Sequence, residues 1–252
     1  MTVVEPKSVL VTGGTRGIGW ATANAFAAAG ADVVITYRSD ELAAHELAAK
    51  LEQDHSVSAY AVHLDLTVPG TVAASIDAAA VFLGGLITTV VNNAGYADMS
   101  MPAFETVSGE VLDQTLATNV AGPFLVAQAA VPHMPDGGAI VNIGSCLGHR
   151  VPGGGLTSYA MSKAAVSGFT RGLARDLGPR GIRVNEIAPG SIDTDMNPAD
   201  GPSADYQRSQ IILARYGRPE EFGRVAAFCL SPAASYLTGV MLPVDGGMLS
   251  GL

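Results

Sequence analysis

The sequence predicts an α/β fold in which a doubly wound parallel sheet is covered by helices on both faces. Short apolar runs alternate with helical patterns along the 252 residues. Runs such as 33–35 and 139–141 contain no alternating polar residues, as expected for strands buried on both faces. A glycine-rich turn directly follows the first run, which favours an open doubly wound sheet over the rival (β/α)8 barrel.

The alternation divides the chain into strands and helices. Strands are predicted at 7–12, 32–37, 56–62, 86–92, 139–143, 182–187 and 240–244. Helices are predicted at 17–29, 40–54, 69–83, 109–133, 157–177, 205–215 and 219–230. Gly30 ends the first helix, Asp40 is a candidate N-cap, and Pro69 suits a first helical position. The stretch 191–204 lacks periodicity and is rich in Asp, Pro and Gly, which is typical of lid loops.

Composition indicates a core-rich chain with no membrane or nucleic-acid partner. Hydrophobic residues make up 48% and charged residues 15%, and the mean hydropathy is +0.30. No uninterrupted apolar run approaches the roughly 18 residues of a membrane span. The net charge of −9 argues against nucleic acid as a partner. The length is ordinary for one domain, so 1–252 is predicted as a single domain with a nucleotide half at about 1–150 and a catalytic and substrate half at about 151–252.

Cysteine usage and the first residues indicate a cytoplasmic protein. Residues 1–6 lack the basic and apolar regions of a secretory signal. The two cysteines, Cys146 and Cys229, are far apart and are expected to be free thiols. Cys229 lies in an apolar stretch and is expected to pack in the core. No Cys/His cluster has metal-ligand spacing, so no metal site is predicted.

The turn at 12–19, Thr-Gly-Gly-Thr-Arg-Gly-Ile-Gly, is the first candidate site. Gly13, Gly17 and Gly19 have the spacing G-x-x-x-G-x-G. Glycine lets the backbone turn sharply and approach a pyrophosphate, and the helix that follows points its N-terminus at the phosphates. An ordinary strand–helix turn is the alternative for the glycines alone.

Tyr159 and Lys163 are the second candidate site. They are four residues apart on the predicted helix 157–177 and therefore share one face. A phenol beside an ammonium is a proton donor whose pKa can be lowered toward working pH. The Tyr-x-x-x-Lys spacing is common by chance, so its weight depends on the glycine-rich and asparagine-rich motifs upstream.

Taken together, these motifs resemble the classical short-chain dehydrogenase/reductase family. The resemblance covers nearly the whole chain and rests on Thr12-Gly-x-x-x-Gly-Ile-Gly19, Asn92-Asn-Ala-Gly95, Asn119, Ser145, Tyr159-x-x-x-Lys163 and Pro189-Gly190. It implies a seven-stranded Rossmann sheet, a nicotinamide cofactor, and hydride transfer between that cofactor and an alcohol or carbonyl. It also implies a homotetramer or homodimer, with the helices 109–133 and 157–177 and the tail 237–252 at the interfaces.

The resemblance also implies a role for each catalytic residue. Tyr159 is the general acid/base, and Lys163 lowers the pKa of Tyr159. Both residues contact the cofactor, and Lys163 does so through the nicotinamide ribose. Ser145 positions the substrate oxygen, and Asn119 holds a water that links Lys163 to solvent. The structural alternatives are a hydrogen-bonding Asn119, a turn serine at Ser145 and a solvated surface lysine at Lys163.

Charge at the end of the second strand predicts NADP(H) as the cofactor. Relatives that prefer NAD place an acid there, whereas this chain has Tyr37 and Arg38, with Arg16 in the glycine-rich turn. Two guanidinium groups favour a 2′-phosphate, and Ser39 adds a hydroxyl. A merely solvated Arg38 is the alternative, and the nearby Asp40 weakens the case.

The remaining cofactor contacts implied by the resemblance follow the other strands. They are Thr15, Ile18, Asp65, Leu66, Asn93, Ala94, Gly95, Pro189, Gly190, Ile192 and Thr194. Asp65 is expected to bind the adenine amine region, and its alternative is a turn cap before Thr67. Asn93 is expected to brace neighbouring strands.

A mostly apolar substrate pocket is predicted around the chemistry. Its candidate residues are Tyr96, Met99, Met101, Cys146, Leu147, His149, Gly190 and Met196. They suit a ketone or secondary alcohol, so a carbonyl reductase is predicted. The alternative is a 3-oxoacyl thioester reductase acting on a carrier protein or CoA, with Asp136 at one expected basic position and Arg180 as a candidate for the other. A non-catalytic NADP-binding regulator is a third hypothesis.

Overall fold

The computed structural model of the protein describes Glu5 and residues 7–250. Residues 1–4, 6, 251 and 252 lie outside the described residues. The prediction about a secretory signal therefore falls almost wholly outside them, as do both ends of the predicted domain and the end of the tail 237–252.

Seven strands form one parallel sheet in the order β3-β2-β1-β4-β5-β6-β7. They are β1 (Ser8–Val11), β2 (Asp32–Tyr37), β3 (Ala59–His63), β4 (Thr89–Asn92), β5 (Ala139–Ile143), β6 (Arg183–Pro189) and β7 (Met241–Val244). The predicted doubly wound sheet is confirmed. The strand order reverses between β1 and β4, and this switch point leaves a crevice at the carboxyl ends of the strands, where such folds bind ligands.

Helices cover both faces of the sheet. They are α1 (Gly17–Ala28), α2 (Glu41–His55), α3 (Pro69–Phe82), α4 (Gly109–Leu116), α5 (Gly122–Ala130), α6 (Thr157–Leu177), α7 (Ala204–Ser209) and α8 (Pro219–Leu230). Phe26, Leu51 and Phe222 bury α1, α2 and α8 against one face. Ile76 and Val126 bury α3 and α5 against the other, together with the inner residues of α6. Each large apolar side chain buried in this way contributes roughly 1.5–3 kcal/mol.

The predicted helix 109–133 is interrupted in the middle. α4 ends at Leu116, a π-helical turn spans Ala117–Ala121, and α5 begins at Gly122. The amide of Gly122 donates to the carbonyl of Ala117, five residues earlier. Pro123 has no N–H to donate to the carbonyl of Asn119, so the ordinary helical bond cannot form there. The segment Val131–His133 then closes as a 3-10 turn.

Two further boundaries differ from prediction because local backbone geometry or tertiary packing decides them. The predicted strand 56–62 begins only at Ala59, because Ser56 ends α2 in the left-handed conformation, with φ of 57°. The predicted helix 205–215 ends at Ser209. Beyond it the chain turns so that Ile211 packs against Cys146 and Met248.

Candidate active site

The glycine-rich turn lies in the crevice between β1 and β4. A Cβ on Gly13 would lie 3.1 Å from Cα of Ala94, and one on Gly19 would lie 2.4 Å from Nδ2 of Asn93. The Asn93 amide donates to the carbonyls of Thr12 and Gly13 at 2.9 and 3.0 Å. Asn93 therefore joins the end of β4 to the turn, as predicted, and the two close contacts require glycine.

The turn leads into the N-terminus of α1. Arg16 is the N-cap residue, and among the described side chains none caps the first amides of the helix. Free amides and the helix dipole make this end favourable for an anion. Gly17 has φ of 52°, and a Cβ there would lie 3.2 Å from Cγ2 of Thr194. The segment after β6 thus contacts the turn through Thr194, and the cofactor contacts of Thr15 and Ile18 stay predictions.

Two cationic side chains stand at the outer end of this crevice. Arg16 and Arg38 are exposed, and neither takes part in a salt bridge among the described residues. The half-buried ring of Tyr37 lies edge-on to that of His63, with centroids 5.5 Å apart, and Arg38 and Ser39 directly follow Tyr37 in the chain.

Asp65 adopts the turn-capping arrangement that was the alternative to adenine binding. Its Oδ1 accepts hydrogen bonds from the amide and hydroxyl of Thr67 at 2.9 and 2.7 Å. Burial raises the pKa of Asp65, but the Thr67 bonds and the charges of Arg38 and His63 outweigh it, so the pKa falls below its usual range. The predicted contact with adenine stays a prediction, as does that of the buried Leu66.

The four predicted catalytic residues converge at the carboxyl ends of β4 and β5. Lys163 is 4% exposed, and its Nζ donates to the carbonyl of Ile143 at 2.8 Å. The same Nζ lies 5.8 Å from the centroid of the Tyr159 ring. A Cβ on Gly95 would lie 3.6 Å from this Nζ and 3.7 Å from Oδ1 of Asn119. The side chains therefore surround one small volume beside the crevice.

Burial shifts the pKa values of Tyr159 and Lys163 in opposite directions. It raises the pKa of Tyr159 to about 12, against a hydrogen bond with Ser145 that lowers it. It lowers the pKa of Lys163 to about 8, against the charge of Glu186 that raises it. Desolvation is the largest influence on the pKa of the phenol, and the Lys163 ammonium donates to the carbonyl of Ile143. The prediction that Lys163 lowers the pKa of the phenol stays a prediction.

Asn119 holds the backbone of the neighbouring loop. Its Oδ1 accepts from the amide of Tyr96 at 2.8 Å, and its Nδ2 donates to the Tyr96 carbonyl at 2.8 Å and to Ser162 Oγ at 2.9 Å. The π-helical turn directs this buried side chain inward, which is how such turns act at functional sites. The side chain thus makes the bonds of the structural alternative, and its water-holding role stays a prediction.

Ser145 begins a short turn that carries two predicted pocket residues. Its hydroxyl accepts from the amide of Leu147 at 3.1 Å, and the residue is 5% exposed. The thiol of Cys146 contacts Sδ of Met248 at 3.2 Å. Burial raises the pKa of this thiol to about 11, so it is an inert wall and not a nucleophile. Leu147 packs against the same small cluster as Met248.

Of the other pocket candidates, His149 directly follows this turn, and Tyr96 and Met196 lie on separate segments. The Nε2 of His149 faces along α6, 3.4 Å from Ser167 Oγ and 3.7 Å from Glu186 Oε1. Met196 is 40% exposed on the segment after β6, and Tyr96 is half-buried. The contribution of these residues to a substrate pocket stays a prediction.

The end of β6 and the segment after it contain four more of the predicted cofactor residues. Pro189 ends the strand, and a Cβ on Gly190 would lie 2.7 Å from Cα of Asp245. Ile192 forms an isolated bridge with Gly217, and Thr194 pairs with Asn197.

The predicted lid loop 191–204 is tied to α7 by Gln207. The side-chain Oε1 of Gln207 accepts from Ser191 Oγ at 2.6 Å and from Asn197 Nδ2 at 3.0 Å. Its Nε2 donates to Asn197 Oδ1 at 2.8 Å and to Ser203 Oγ at 2.9 Å. Sequence reasoning missed Gln207, because one amide on a short helix produces no periodic signal.

Sequence reasoning also missed Gly14 and Glu186. A Cβ on Gly14 would lie 2.6 Å from Cγ2 of Ile35, so the turn needs glycine there as well. Glu186 is fully buried within β6. The available signal for Glu186 was an acidic residue within the predicted strand 182–187.

Known proteins match this chain along nearly its full length. The family model described as enoyl-(acyl carrier protein) reductase matches residues 13–249. The crystal structure of a short chain dehydrogenase from Burkholderia cenocepacia in complex with NADP is 43% identical, with a TM-score of 0.93, and the match covers 98% of this chain and 100% of that one. The chain belongs to the short-chain dehydrogenase/reductase family. The predicted family and Rossmann fold are confirmed, and with them an oxidoreductase.

Two curated relatives of this short-chain dehydrogenase/reductase differ in their described roles. A 3-oxoacyl-[acyl-carrier-protein] reductase from Aquifex aeolicus is 37% identical, over 97% of this chain and 98% of the relative. A cyclic-di-GMP-binding biofilm dispersal mediator protein from Escherichia coli is 40% identical, over 95% of this chain and 96% of the relative. Within the part of the chain that the structure describes, every helix is too short or too polar to cross a membrane.

Proposed function

We propose that this protein transfers hydride between NADP(H) and a ketone or secondary alcohol, as a carbonyl reductase. The observation that carries the proposal is the convergence of Tyr159, Lys163 and Ser145 at the strand ends beside the glycine-rich turn. A proton donor, a cation and a hydroxyl are the groups that a carbonyl needs when it becomes an alcohol.

The cofactor is NADP(H), and the crevice fits it. Gly13 and Gly19 let the turn pack closely against Asn93 and Ala94, and the N-terminus of α1 that follows the turn is favourable for a pyrophosphate. Arg16 and Arg38 supply two exposed cations for the 2′-phosphate. The solved relative from Burkholderia cenocepacia carries NADP. When bound, the nicotinamide supplies or accepts the hydride.

We assign the remaining cofactor contacts to the segments after β4 and at the end of β6. Asn93, Ala94 and Gly95 are proposed to flank the adenosine side. Pro189, Gly190, Ile192 and Thr194 are proposed to flank the nicotinamide side, and the Thr194 side chain lies against Gly17 of the turn.

Side chains of the protein supply the proton and stabilise the charge that its transfer leaves. In reduction, Tyr159 donates its phenolic proton to the carbonyl oxygen, and Ser145 donates a hydrogen bond to the same oxygen. Lys163 stabilises the phenolate that remains, since its ammonium lies near the ring. Proton transfer of this kind contributes about 10²- to 10⁴-fold to the rate.

The pocket wall favours an apolar substrate. Leu147 and the inert thiol of Cys146 belong to an apolar cluster next to Ser145. Met99, Met101 and Met196 are exposed near the predicted pocket and offer adaptable thioether surfaces. A ketone with an aliphatic or aromatic substituent fits these groups better than a charged sugar does.

A 3-oxoacyl thioester reductase is the second candidate, and curated relatives with that described activity favour it. A carrier-protein surface has less support. The Arg180 Nε donates to Asp136 Oδ1 at 2.9 Å, and its Nη1 donates to the carbonyl of Val131 at 3.1 Å. Because the Arg180 guanidinium already donates to groups of its own chain, the arrangement favours a CoA thioester over a carrier protein as the substrate.

Replacement of Tyr159 by Phe tests the proposed function. Ketones, a 3-oxoacyl-CoA and a 3-oxoacyl carrier protein are assayed with NADPH and with NADH. We expect NADPH-dependent reduction by the wild type and a loss of about 10²- to 10⁴-fold in Tyr159→Phe, with NADPH binding by fluorescence retained.

Tyr60→Phe is the matched control, because Tyr60 lies on β3 and is exposed. It is expected to keep full activity. Absence of any NADPH-dependent reduction, or an unchanged rate in Tyr159→Phe, contradicts the proposal and favours a non-catalytic NADP-binding regulator.

We further propose a homodimer or homotetramer that associates through α4, α5 and α6. Leu116, Val120, Phe124 and Phe169 line an apolar groove on this surface. The single-domain organisation over 1–252 and the cytoplasmic localisation stay predictions from the sequence.

A further inference from the structure

A buried carboxylate lies directly behind the catalytic helix. Glu186 in β6 has no exposed surface. Its Oε2 accepts a hydrogen bond from Ser167 Oγ at 2.5 Å, while its Oε1 has no hydrogen-bond partner within the part of the chain described. Removing a carboxylate from water is unfavourable unless a positive charge or hydrogen bonds compensate for it. One hydrogen bond leaves that compensation incomplete.

The backbone around Glu186 leaves space for this carboxylate. A Cβ on Gly144 would lie 2.0 Å from Oε1 of Glu186. Gly144 stands between the end of β5 and Ser145, and its amide donates to the carbonyl of Ile187 at 2.9 Å. The carboxylate therefore lies beside the segment that presents Ser145, and any side chain at Gly144 would collide with it.

The helix α6 places Lys163 one turn from the serine that binds this carboxylate. Tyr159, Lys163 and Ser167 follow one another at four-residue steps and share a face of the helix. Ser167, which binds Glu186, is thus one turn beyond Lys163. The ammonium of Lys163 is the buried cation on this face, and its only described hydrogen bond is to the carbonyl of Ile143.

Few other titratable groups act in this region. His149 approaches from the loop before α6, with Nε2 at 3.7 Å from Glu186 Oε1. The charge of Cys146, from the same loop, raises the pKa of Tyr159. The charge of Asp245, near the end of β7, raises the pKa of Cys146. Among the described groups, Glu186 is the charge that acts on Lys163.

We propose that Glu186 is a positioning residue that holds Lys163 in its ammonium form, with Ser167 and Gly144 fixing the carboxylate behind α6. The proposal rests on the proposed function for the importance of that ammonium, because a neutral amine cannot stabilise the Tyr159 phenolate. Burial lowers the pKa of Lys163 to about 8, and the charge of Glu186 opposes that shift.

The direct test measures the titration of Lys163 without any turnover. The chain has three lysines, Lys7, Lys50 and Lys163, so NMR of labelled lysine side chains gives three assignable signals. Glu186→Gln preserves the shape and the acceptor for Ser167 but removes the charge. We expect the titration midpoint of Lys163 to fall by about one pH unit or more, while Lys7 and Lys50 remain unchanged.

The pH profile of reduction supplies the second readout. Activity that requires the Lys163 ammonium falls as the pH rises through the pKa of that group. In Glu186→Gln the alkaline limb of kcat/KM is expected to move to lower pH by the same amount, and Glu186→Asp is expected to restore it. Glu52→Gln is the control, because Glu52 accepts from the amide of Ala59, far from α6 in the fold.

The outcomes separate this proposal from the proposed function. A Lys163 midpoint that is unchanged in Glu186→Gln overturns the proposal, whether or not the protein reduces carbonyls. If that variant fails to fold, the carboxyl carbon signal of Glu186 in the wild type decides. An ionised carboxylate at neutral pH supports the counter-charge role, and a protonated carboxyl overturns it.

Discussion

Arg38 is the side chain that we propose selects the cofactor at the end of β2. It stands directly after β2, exposed and without a salt bridge among the described residues. The charge of Arg38 helps to lower the pKa of Asp65, but the carboxylate of Asp65 already accepts hydrogen bonds from Thr67. The guanidinium therefore keeps its donors available for a 2′-phosphate.

Arg38→Asp is expected to reduce the preference for NADPH. Loss of charge-assisted hydrogen bonds to a phosphate is worth about 1.5–3 kcal/mol, which is roughly ten- to a hundredfold in affinity. The ratio of kcat/KM for NADPH to that for NADH should fall by at least this factor. Arg224→Asp, at an exposed position of α8, is the matched control. An unchanged ratio in Arg38→Asp would assign the 2′-phosphate to other residues.

Tyr159 and Lys163 illustrate a second effect at this scale. Burial favours the uncharged form of each group, which raises the pKa of the phenol to about 12 and lowers that of the amine to about 8. A protonated phenol is the form that carbonyl reduction requires. The geometry thus supplies a proton donor at neutral pH, and the stability of its anion depends on the charge of Lys163.

At the scale of elements, α8 supports the helix that carries the glycine-rich turn. A Cβ on Gly223 would lie 2.6 Å from the carbonyl of Ala21, so α8 and α1 touch backbone to backbone. The first turn of α8 is held by Glu221, which accepts from the Arg218 amide at 2.8 Å and from two nitrogens of Arg215, each at 2.8 Å.

Glu221→Gln is expected to lower the melting temperature at neutral pH and to have little effect in acid. The Arg215 hydrogen bond is the main cause that lowers the pKa of Glu221 from 4.5 to about 2. Because the folded-state pKa is depressed, the stabilisation is present above pH 4.5 and is lost as the pH falls through about 2. A surface pair of this kind contributes about 1 kcal/mol or less, or ~2–4 °C.

Thermal unfolding of wild type, Glu221→Gln and the neighbouring control Glu220→Gln across this pH range measures the effect. Glu220 is exposed in the same helical turn. A difference between wild type and Glu221→Gln that stays constant down to pH 2 would show that charge pairing is not its cause.

At the scale of the whole molecule, the apolar groove on α4, α5 and α6 suits a second copy of the chain. Phe124 is 53% exposed, and its ring lies 5.9 Å from that of Phe169. The helix α6 also carries Tyr159 and Lys163, and the π-helical turn between α4 and α5 carries Asn119. Association would therefore stiffen the elements that hold the predicted catalytic groups.

Phe124→Glu is expected to convert the proposed dimer or tetramer into a smaller species. A carboxylate in an apolar interface loses its water without gaining a partner, which opposes association. Light scattering at micromolar concentration measures the mass. Phe104→Glu is the control, since Phe104 is 73% exposed on a loop turn. A monomeric wild type, or an unchanged mass in Phe124→Glu, would contradict this assembly.

The sequence by itself determined those features that are written in neighbouring residues. The order of the strands and helices follows from periodicity, and the turn around Gly13 and Gly19 follows from the need for close backbone approach. The shared face of Tyr159 and Lys163 follows from helical spacing. These signals are local, because each depends on residues within one element or one turn.

Only the tertiary structure decided how distant segments meet. The hydrogen bonds of Asn119 to Tyr96 and Ser162, the pairing of Arg180 with Asp136 and the burial of Glu186 beside Gly144 join residues far apart in the chain. Arg183 likewise donates from β6 to the carbonyls that end α8. Side-chain desolvation and hydrogen bonding across elements set these arrangements. Neither is encoded in the spacing of a single segment, so periodicity could not predict them.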